Sequence, residues 1–131
     1  MTAKKILIVD DEPHLRMLIQ QTLEELEDDG VELLTATNGE EALETIRAEQ
    51  PDLVLLDVMM PKQNGFDVCH VVKKELGWSH VRIILLTAKG QEFDRNRGIE
   101  VGADLYMTKP FDPDALIANA REALGLTAAG S

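Results

Sequence analysis

The sequence predicts an α/β fold, a doubly wound sheet of five parallel strands with helices on both of its faces. Two observations support this prediction. Five short apolar runs alternate with segments in which apolar residues recur at helical spacing. The runs at 5–9, 52–56 and 82–86 are continuous rather than alternating, which is typical of strands that are covered on both faces.

The five predicted strands are separated by stretches long enough to hold a helix. They are KILIV (5–9), VELLTA (31–36), DLVLL (52–56), RIILL (82–86) and DLYMT (104–108). The 131 residues suggest a single domain, and neither a repeat nor a linker divides them. Because TAAGS at the end has the composition of a loose tail, we predict a domain over 1–125 and a flexible tail over 126–131.

The first helix is predicted to begin near Pro13 and to end at Gly30. Its inner face would comprise the residues at helical spacing, Leu15, Leu18, Ile19, Thr22 and Leu26. Asn38 can cap the second helix, because its side chain can accept a hydrogen bond from a backbone N–H of the first turn. Leu43 and Ile46 would then face inward.

The third helix is predicted over 66–76, and its apolar stripe would consist of Val68, Val71 and Val72. The segment 89–101 is a weaker helix candidate with two glycines, and we expect it to have low local stability.

The last helix is predicted to start with Asp112 as its cap and Pro113 at its first position, and to stop at Gly125. Its inward residues would be Leu116, Ile117, Ala120 and Leu124.

The net charge of −11 disfavours direct binding to nucleic acid or to an anionic membrane. The acidic runs at 23–30 and 39–44 are interpreted as solvated helix faces. The single cysteine, Cys69, cannot form an internal disulfide and is expected to pack in or near the core. The N-terminal apolar run is too short for a signal peptide, and no run has the length of a membrane span, so we expect a cytoplasmic protein.

Polar residues follow four of the predicted strands. Asp10 and Asp11 come after the first strand, Asp57 after the third, Thr87 after the fourth and Lys109 after the fifth. The carboxyl ends of parallel strands share one edge of the sheet, so these side chains are predicted to lie together. Open α/β sheets place their ligand sites at that edge.

Three carboxylates at close range need compensating positive charge, which Lys109 and a divalent cation would supply. The candidate ligands are hard oxygens, which favours Mg²⁺ or Mn²⁺ over zinc. The histidines lack the spacing of metal ligands; they are His14, His70 and His80. Beside a metal, a lysine and a hydroxyl, Asp57 is suited to accept a phosphoryl group. Taken singly, each residue has an ordinary alternative as a turn, cap or solvated loop residue, but their shared edge favours a site.

Four motifs resemble those of the receiver domain of bacterial two-component response regulators. They are ILIVDDEP, LVLLDVMMPKQNG, IILLTA and GADLYMTKPF, and the resemblance covers residues 4 to 125. It implies the flavodoxin-like strand order 2-1-3-4-5, which would bring Asp10 and Asp11 beside Asp57.

The resemblance also implies roles for the polar residues. Asp57 would accept a phosphoryl group from a histidine kinase, a phosphotransfer protein or a small phosphodonor. Asp11 and Asp57 would bind Mg²⁺ (Mn²⁺ being possible), with Asp10 acting mainly through a bridging water and the backbone carbonyl of Met59 as a further ligand. Lys109 would pair with the phosphoryl group.

A switch is implied as well. Thr87 would donate its hydroxyl to the phosphoryl group, and Ala88 beside it would also belong to the phosphoryl-binding and switch residues. Tyr106 would turn inward as Thr87 moves. The face formed by the fourth predicted helix, the fifth strand and the last helix would then be remodelled. The Lys109–Pro110 peptide bond would be cis.

Met59 and Lys89 occupy positions that tune the phosphoryl lifetime in this family. Met59 has no hydrogen-bonding group, so we expect it to place an attacking water poorly.

The function implied is a phosphorylation-controlled switch in a phosphorelay, not an enzyme beyond its own phosphorylation and dephosphorylation. A downstream protein would bind segment 89–124 of a monomer or weak dimer, without contact to nucleic acid or membrane. Whether the chain is a stand-alone regulator or an excised domain stays open.

Three other functions remain. A constitutive interaction domain would keep the fold without the chemistry. A Mg²⁺-dependent aspartyl-phosphate phosphatase usually carries a second acid where this chain has Met59, and a flavin protein would need a phosphate-cradling loop in place of the acidic DDEPH.

Overall fold

The computed structural model describes residues 4–59, 64–88, 99–109 and 112–126. Five parallel strands form one sheet in the order β2-β1-β3-β4-β5, which confirms the predicted fold class and strand order. The strands are β1 (Lys5–Val9), β2 (Glu32–Ala36), β3 (Leu53–Asp57), β4 (Arg82–Ala88) and β5 (Leu105–Lys109). Three of them, β3, β4 and β5, end one or two residues later than predicted, so Asp57, Thr87 and Lys109 belong to strand ends rather than to the loops that follow.

Helices connect the strands. They are α1 (Pro13–Thr22), followed by a 3₁₀ helix (Glu24–Asp29), α2 (Gly39–Glu49), α3 (Gly65–His70), which continues as a π-helix (Val71–Glu75), and α4 (Pro113–Ala123). The predicted caps are confirmed, because Asn38 accepts from the amide of Glu41 and Asp112 from the amide of Asp114. Within the described residues, none of these helices combines the length and the apolar character that a membrane span requires.

The prediction of one helix from Pro13 to Gly30 is wrong. The α-helix ends at Thr22, and a 3₁₀ helix continues to Asp29, where Gly30 ends it with a φ of 86°. Leu23 and Leu26 are both fully buried, because a spacing of three residues places them on the same side of a 3₁₀ helix.

The prediction that Leu18 faces inward is also wrong, because its side chain is 51% exposed. The inner face of α1 instead runs from the half-buried Leu15 to Ile19 and on to Leu23, four residues apart at each step. Leu18 lies about 100° around the helix from Ile19, which carries it past the edge of that face.

Both faces of the sheet are buried, as the continuous apolar runs predict. Alternate residues of the central strands pack on opposite sides, with Leu7, Val54 and Leu85 in one core cluster and Ile6 and Leu55 in the other. The third predicted helix and the last helix supply the expected inward residues, of which Val68, Val72, Leu116 and Ala120 are fully buried.

Cys69 is fully buried in the first of these clusters, which confirms its predicted packing role. Burial raises the pKa of its thiol to about 12. The thiol therefore stays protonated and unreactive at neutral pH.

Residues 89–98 of the predicted helix at 89–101 lie outside the described residues, and so does the predicted tail beyond residue 126.

Candidate functional site

The sheet brings three carboxylates together at the carboxyl ends of its central strands. Asp10 directly follows β1, and Asp57 ends β3, the neighbouring strand. Asp10, Asp11 and Asp57 each place a carboxylate oxygen within 4.8 Å of the others. The predicted juxtaposition of these three residues is therefore confirmed.

Asp10 is fully buried, and its amide, its carbonyl and both of its carboxylate oxygens have polar partners. Its amide donates to the carbonyl of Ala36 (3.3 Å), and its carboxylate accepts from the amide of Glu12 (2.8 Å). Its other carboxylate oxygen lies 3.3 Å from Lys109 Nζ. The guanidinium of Arg16 donates to its backbone carbonyl (2.8 Å). The orientation of this carboxylate is thus fixed by protein groups.

Asp57 is 5% exposed, and burial raises the pKa of its carboxyl from the ordinary 3.8 to about 6. The charge of Lys109 acts in the opposite direction and lowers the pKa, and Asp10 raises it. One carboxylate oxygen lies 3.2 Å from Lys109 Nζ and accepts from the Met59 amide at 3.3 Å. Asp57 is therefore mostly ionised at neutral pH, although burial opposes its charge.

The Lys109 ammonium lies between Asp10 and Asp57 and balances one of the three negative charges. The remaining charge and the hard oxygen donors suit a divalent cation such as Mg²⁺ or Mn²⁺. The residues present therefore fit the metal that the sequence predicts.

Gly65 permits the close approach of α3 to the end of β3. A Cβ atom at this position would lie 2.5 Å from the backbone oxygen of Asp57 and 3.0 Å from Val58 Cα. The Gly65 amide also donates to the carbonyl of Val58 (3.0 Å). This contact gives a steric reason for the glycine that closes the motif after Asp57.

Thr87 is buried near the end of β4, beside Thr108 of β5. Tyr106 is half-buried, is paired with Leu85 and packs against the core. Ala88 is paired with Lys109 at the backbone. The predicted switch residues that the structure describes therefore lie on two adjacent strands that end at the site.

Two other predicted residues, Lys89 and Pro110, lie outside the described residues. Met59 is 60% exposed beside Asp57. The sequence reasoning missed Arg16, whose contact with Asp10 depends on how α1 folds back against β1. The sequence carried no signal for this contact, because the acceptor is a backbone carbonyl rather than a side chain.

The strand order and the cluster of carboxylates beside a lysine at the carboxyl edge agree with the class of signalling domain that the sequence motifs resemble. Residues 6–121 match the model of the family described as response regulator receiver domain, and the chain belongs to that family.

Two curated relatives illustrate the similarity. The chain is 50% identical over 121 residues to the "Probable transcriptional regulator ycf27" of Pyropia yezoensis, covering 92% of this chain and 47% of that protein. It is 48% identical over 110 residues to the "Alkaline phosphatase synthesis transcriptional regulatory protein PhoP" of Bacillus subtilis, covering 84% and 44%. The chain thus spans about half the length of the curated relatives it matches. Because these relatives are named transcriptional regulators, the expectation of no nucleic-acid contact is not supported.

Solved structures show the same fold. A response regulator structure from Chloroflexus aurantiacus aligns with a TM-score of 0.83 at 31% identity, covering 95% of this chain and 99% of that one. The chemotaxis protein CheY4 of Vibrio cholerae aligns with a TM-score of 0.80 at 31% identity, covering 94% and 100%.

Proposed function

We propose that this domain is the phosphorylation-dependent switch of a response regulator, and that Asp57 accepts the phosphoryl group from a histidine kinase or phosphotransfer protein. The observation that carries the proposal is the placement of Asp57, buried at the sheet edge, 3.2 Å from the Lys109 ammonium and close to two more carboxylates. An isolated buried carboxylate would be costly, so this arrangement favours a chemical role.

The reaction would form a bond between an Asp57 carboxylate oxygen and phosphorus while the bond from phosphorus to the donor breaks. With a phosphohistidine donor, the imidazole leaves with the bonding electrons and takes up a proton. The Lys109 ammonium is within reach of the phosphoryl oxygens and would offset their charge. Mg²⁺, when bound, would supply further positive charge to those oxygens.

Asp11 and Asp57, with the backbone carbonyl of Met59, are the groups we propose to hold the cation directly. Both carboxylate oxygens of Asp10 already have protein partners, Glu12 N and Lys109 Nζ. This supports an indirect role for Asp10, through a bridging water.

The output would pass through β4 and β5. A phosphoryl group adds a charge of about −1.5 to −2, and it shifts the equilibrium only by binding the two states differently. Thr87 and Lys109 would provide that difference, Tyr106 would respond to it, and the change in segment 89–124 would alter the binding of a protein partner there. In a longer protein of the kind that these relatives represent, the partner would be a DNA-binding output region, and the domain itself would act in the cytoplasm.

Exposed apolar side chains near the site favour a protein as the phosphodonor. α1 begins two residues after Asp11, and its outer face presents Met17 (57% exposed) and Leu18 (51%). Met59, two residues after Asp57, is 60% exposed. Such side chains suit contact with another protein.

Intact-protein mass after incubation with acetyl phosphate and Mg²⁺ tests the proposal. We expect a gain of one phosphoryl group that disappears in Asp57→Asn and with EDTA. Asp28→Asn, which removes an exposed carboxylate, is the matched control and should gain the group normally. A gain that persists in Asp57→Asn would exclude Asp57 as the acceptor. If there is no gain and beryllofluoride also leaves the Tyr106 signals unchanged in NMR spectra, the constitutive interaction domain is the better account.

A further inference from the structure

We propose that Arg16 is a positioning residue of this site, which orients the Asp11 carboxylate by holding the backbone carbonyl of Asp10. The inference rests on the proposed function, because it takes the acidic cluster to be a divalent-cation site. It concerns how the chain prepares that site and adds a residue from outside the acidic cluster.

The contact is direct. Arg16 is half-buried, and its Nη1 donates to the Asp10 carbonyl at 2.8 Å. The parallel ladders of β1 end at Val9, so this carbonyl lies just beyond the regular strand pairing. Asp10 is fully buried, and a buried carbonyl without a donor is unfavourable. Arg16 therefore satisfies a group at the point where the strand becomes a loop.

The carbonyl belongs to the peptide group that joins Asp10 to Asp11. A peptide group is planar, so holding the carbonyl also fixes the direction of the Asp11 amide and limits where the Asp11 side chain can project. Asp11 is exposed, whereas Asp10 is fixed by its own carboxylate contacts. Loss of the Arg16 contact should therefore disturb Asp11 more than Asp10.

The position of Arg16 in its helix supports a specific role. Its amide donates to the carbonyl of Glu12 (3.0 Å), which fixes it in the first turns of α1. A cation there interacts unfavourably with the positive end of the helix dipole. Side chains of a helix lean toward its N-terminus, which directs this guanidinium back to the end of β1. The carbonyl contact gives this arginine a specific partner at the end of β1.

Electrostatics and positioning predict opposite results. If Arg16 acted only through its charge, its removal would make the site more negative and strengthen Mg²⁺ binding. If it positions Asp11, its removal weakens binding, by about tenfold if it resembles other outer partners of metal ligands.

The Mg²⁺ dissociation constant, measured by backbone amide shifts in NMR titrations, distinguishes a role of Arg16 through its charge from a positioning role. We expect Arg16→Gln to raise the dissociation constant about tenfold. Arg16→Lys keeps the charge but loses the planar guanidinium, and should raise the constant less. Arg47→Gln, which removes an exposed arginine on α2, is the charge-matched control and should leave it unchanged. Far-UV circular dichroism confirms that each variant is folded.

A double-variant cycle tests whether Arg16 acts through Asp11. In an Asp11→Asn background, Arg16→Gln should have little further effect on Mg²⁺ binding. An unchanged or lower constant in folded Arg16→Gln overturns the proposal, and so does a full effect in the Asp11→Asn background. If Arg16→Gln does not fold, Arg16→Lys decides, since an unchanged constant overturns the proposal and a raised one supports it. If Asp11→Asn alone leaves Mg²⁺ binding unchanged, the cation site of the proposed function fails instead.

Discussion

Replacing Asp57 by asparagine should stabilise the metal-free protein at neutral pH. Burial raises the pKa of this carboxyl from 3.8 to about 6, so the folded state binds the proton more tightly than the unfolded state does. At 1.36 kcal/mol per pH unit, the shift corresponds to about 3 kcal/mol of lost stability once the group is ionised. Screening by solvent at the sheet edge reduces this to about 2 kcal/mol.

The sign follows from proton binding. Well below pH 3.8 both states hold the proton, so the variant and the parent should be equally stable. As the pH rises from 3.8 to about 6, the unfolded parent loses its proton before the folded parent does, and the free energy of unfolding of the parent falls relative to that of the variant. Well above pH 6 both states are ionised and the full difference persists, because asparagine carries no charge.

Urea unfolding in EDTA between pH 4.5 and 8, followed by far-UV circular dichroism, measures this difference. Asp28→Asn, at an exposed position of the 3₁₀ helix, is the control and should show little change. Mg²⁺ should narrow the difference, because it stabilises the parent by binding its folded state. If Asp57→Asn is less stable than the parent at pH 7.5, or if the difference in stability does not depend on pH, ionisation of the buried Asp57 does not destabilise the metal-free protein.

Three further variants test two positions beside Asp57 and one ion pair at the opposite edge of the sheet, where β5 begins. Gly65→Ala should lower the free energy of unfolding in urea by about 2 kcal/mol and slow phosphorylation, because its Cβ would lie 2.5 Å from the β3 backbone. Gly77→Ala is the control, since Gly77 has a φ of 67° and open space around it. It should lower the free energy of unfolding by only about 1 kcal/mol and leave the phosphorylation rate unchanged. Lys73→Met should cost about 1 kcal/mol, because the Lys73 ammonium lies 2.8 Å from the Asp104 carboxylate, which keeps Arg82 (3.5 Å) and the Ile83 amide (2.8 Å) as partners; no loss at all in thermal or urea unfolding would contradict this. Met59→Asn should shorten the phosphoryl lifetime, since an amide can orient water where the thioether cannot, and an unchanged decay of the phosphorylated mass would count against that role.

The fold could be predicted because the central strands are buried on both faces and their sequences are accordingly continuous apolar runs. Leu53 to Leu56 are fully buried, and so are Ile6 to Val9, which is the condition that continuous apolar runs indicate. The site could be predicted because the carboxyl ends of parallel strands share one edge of the sheet. The position of Asp10, Asp57 and Lys109 at the ends of their strands was therefore enough to group them.

The errors occurred where the outcome depends on three-dimensional contact. Helical spacing alone could not show that the chain tightens into a 3₁₀ helix after Thr22, or that Leu18 falls outside the buried face. Arg16 could not be assigned, because a hydrogen bond to a backbone carbonyl has no partner that the sequence makes visible.

The bridging position of Lys109 links the chemistry of the site to the dynamics of the sheet. β5 is an edge strand, yet its last side chain extends past β4 to Asp57 at the end of β3. Edge strands open more readily than central ones. The ion pair between Lys109 and Asp57 stabilises the contact of the end of β5 with the central strands. A change of charge at Asp57 should therefore alter how often the end of β5 separates from β4, and amide hydrogen exchange at Thr108 and Lys109 would report that change.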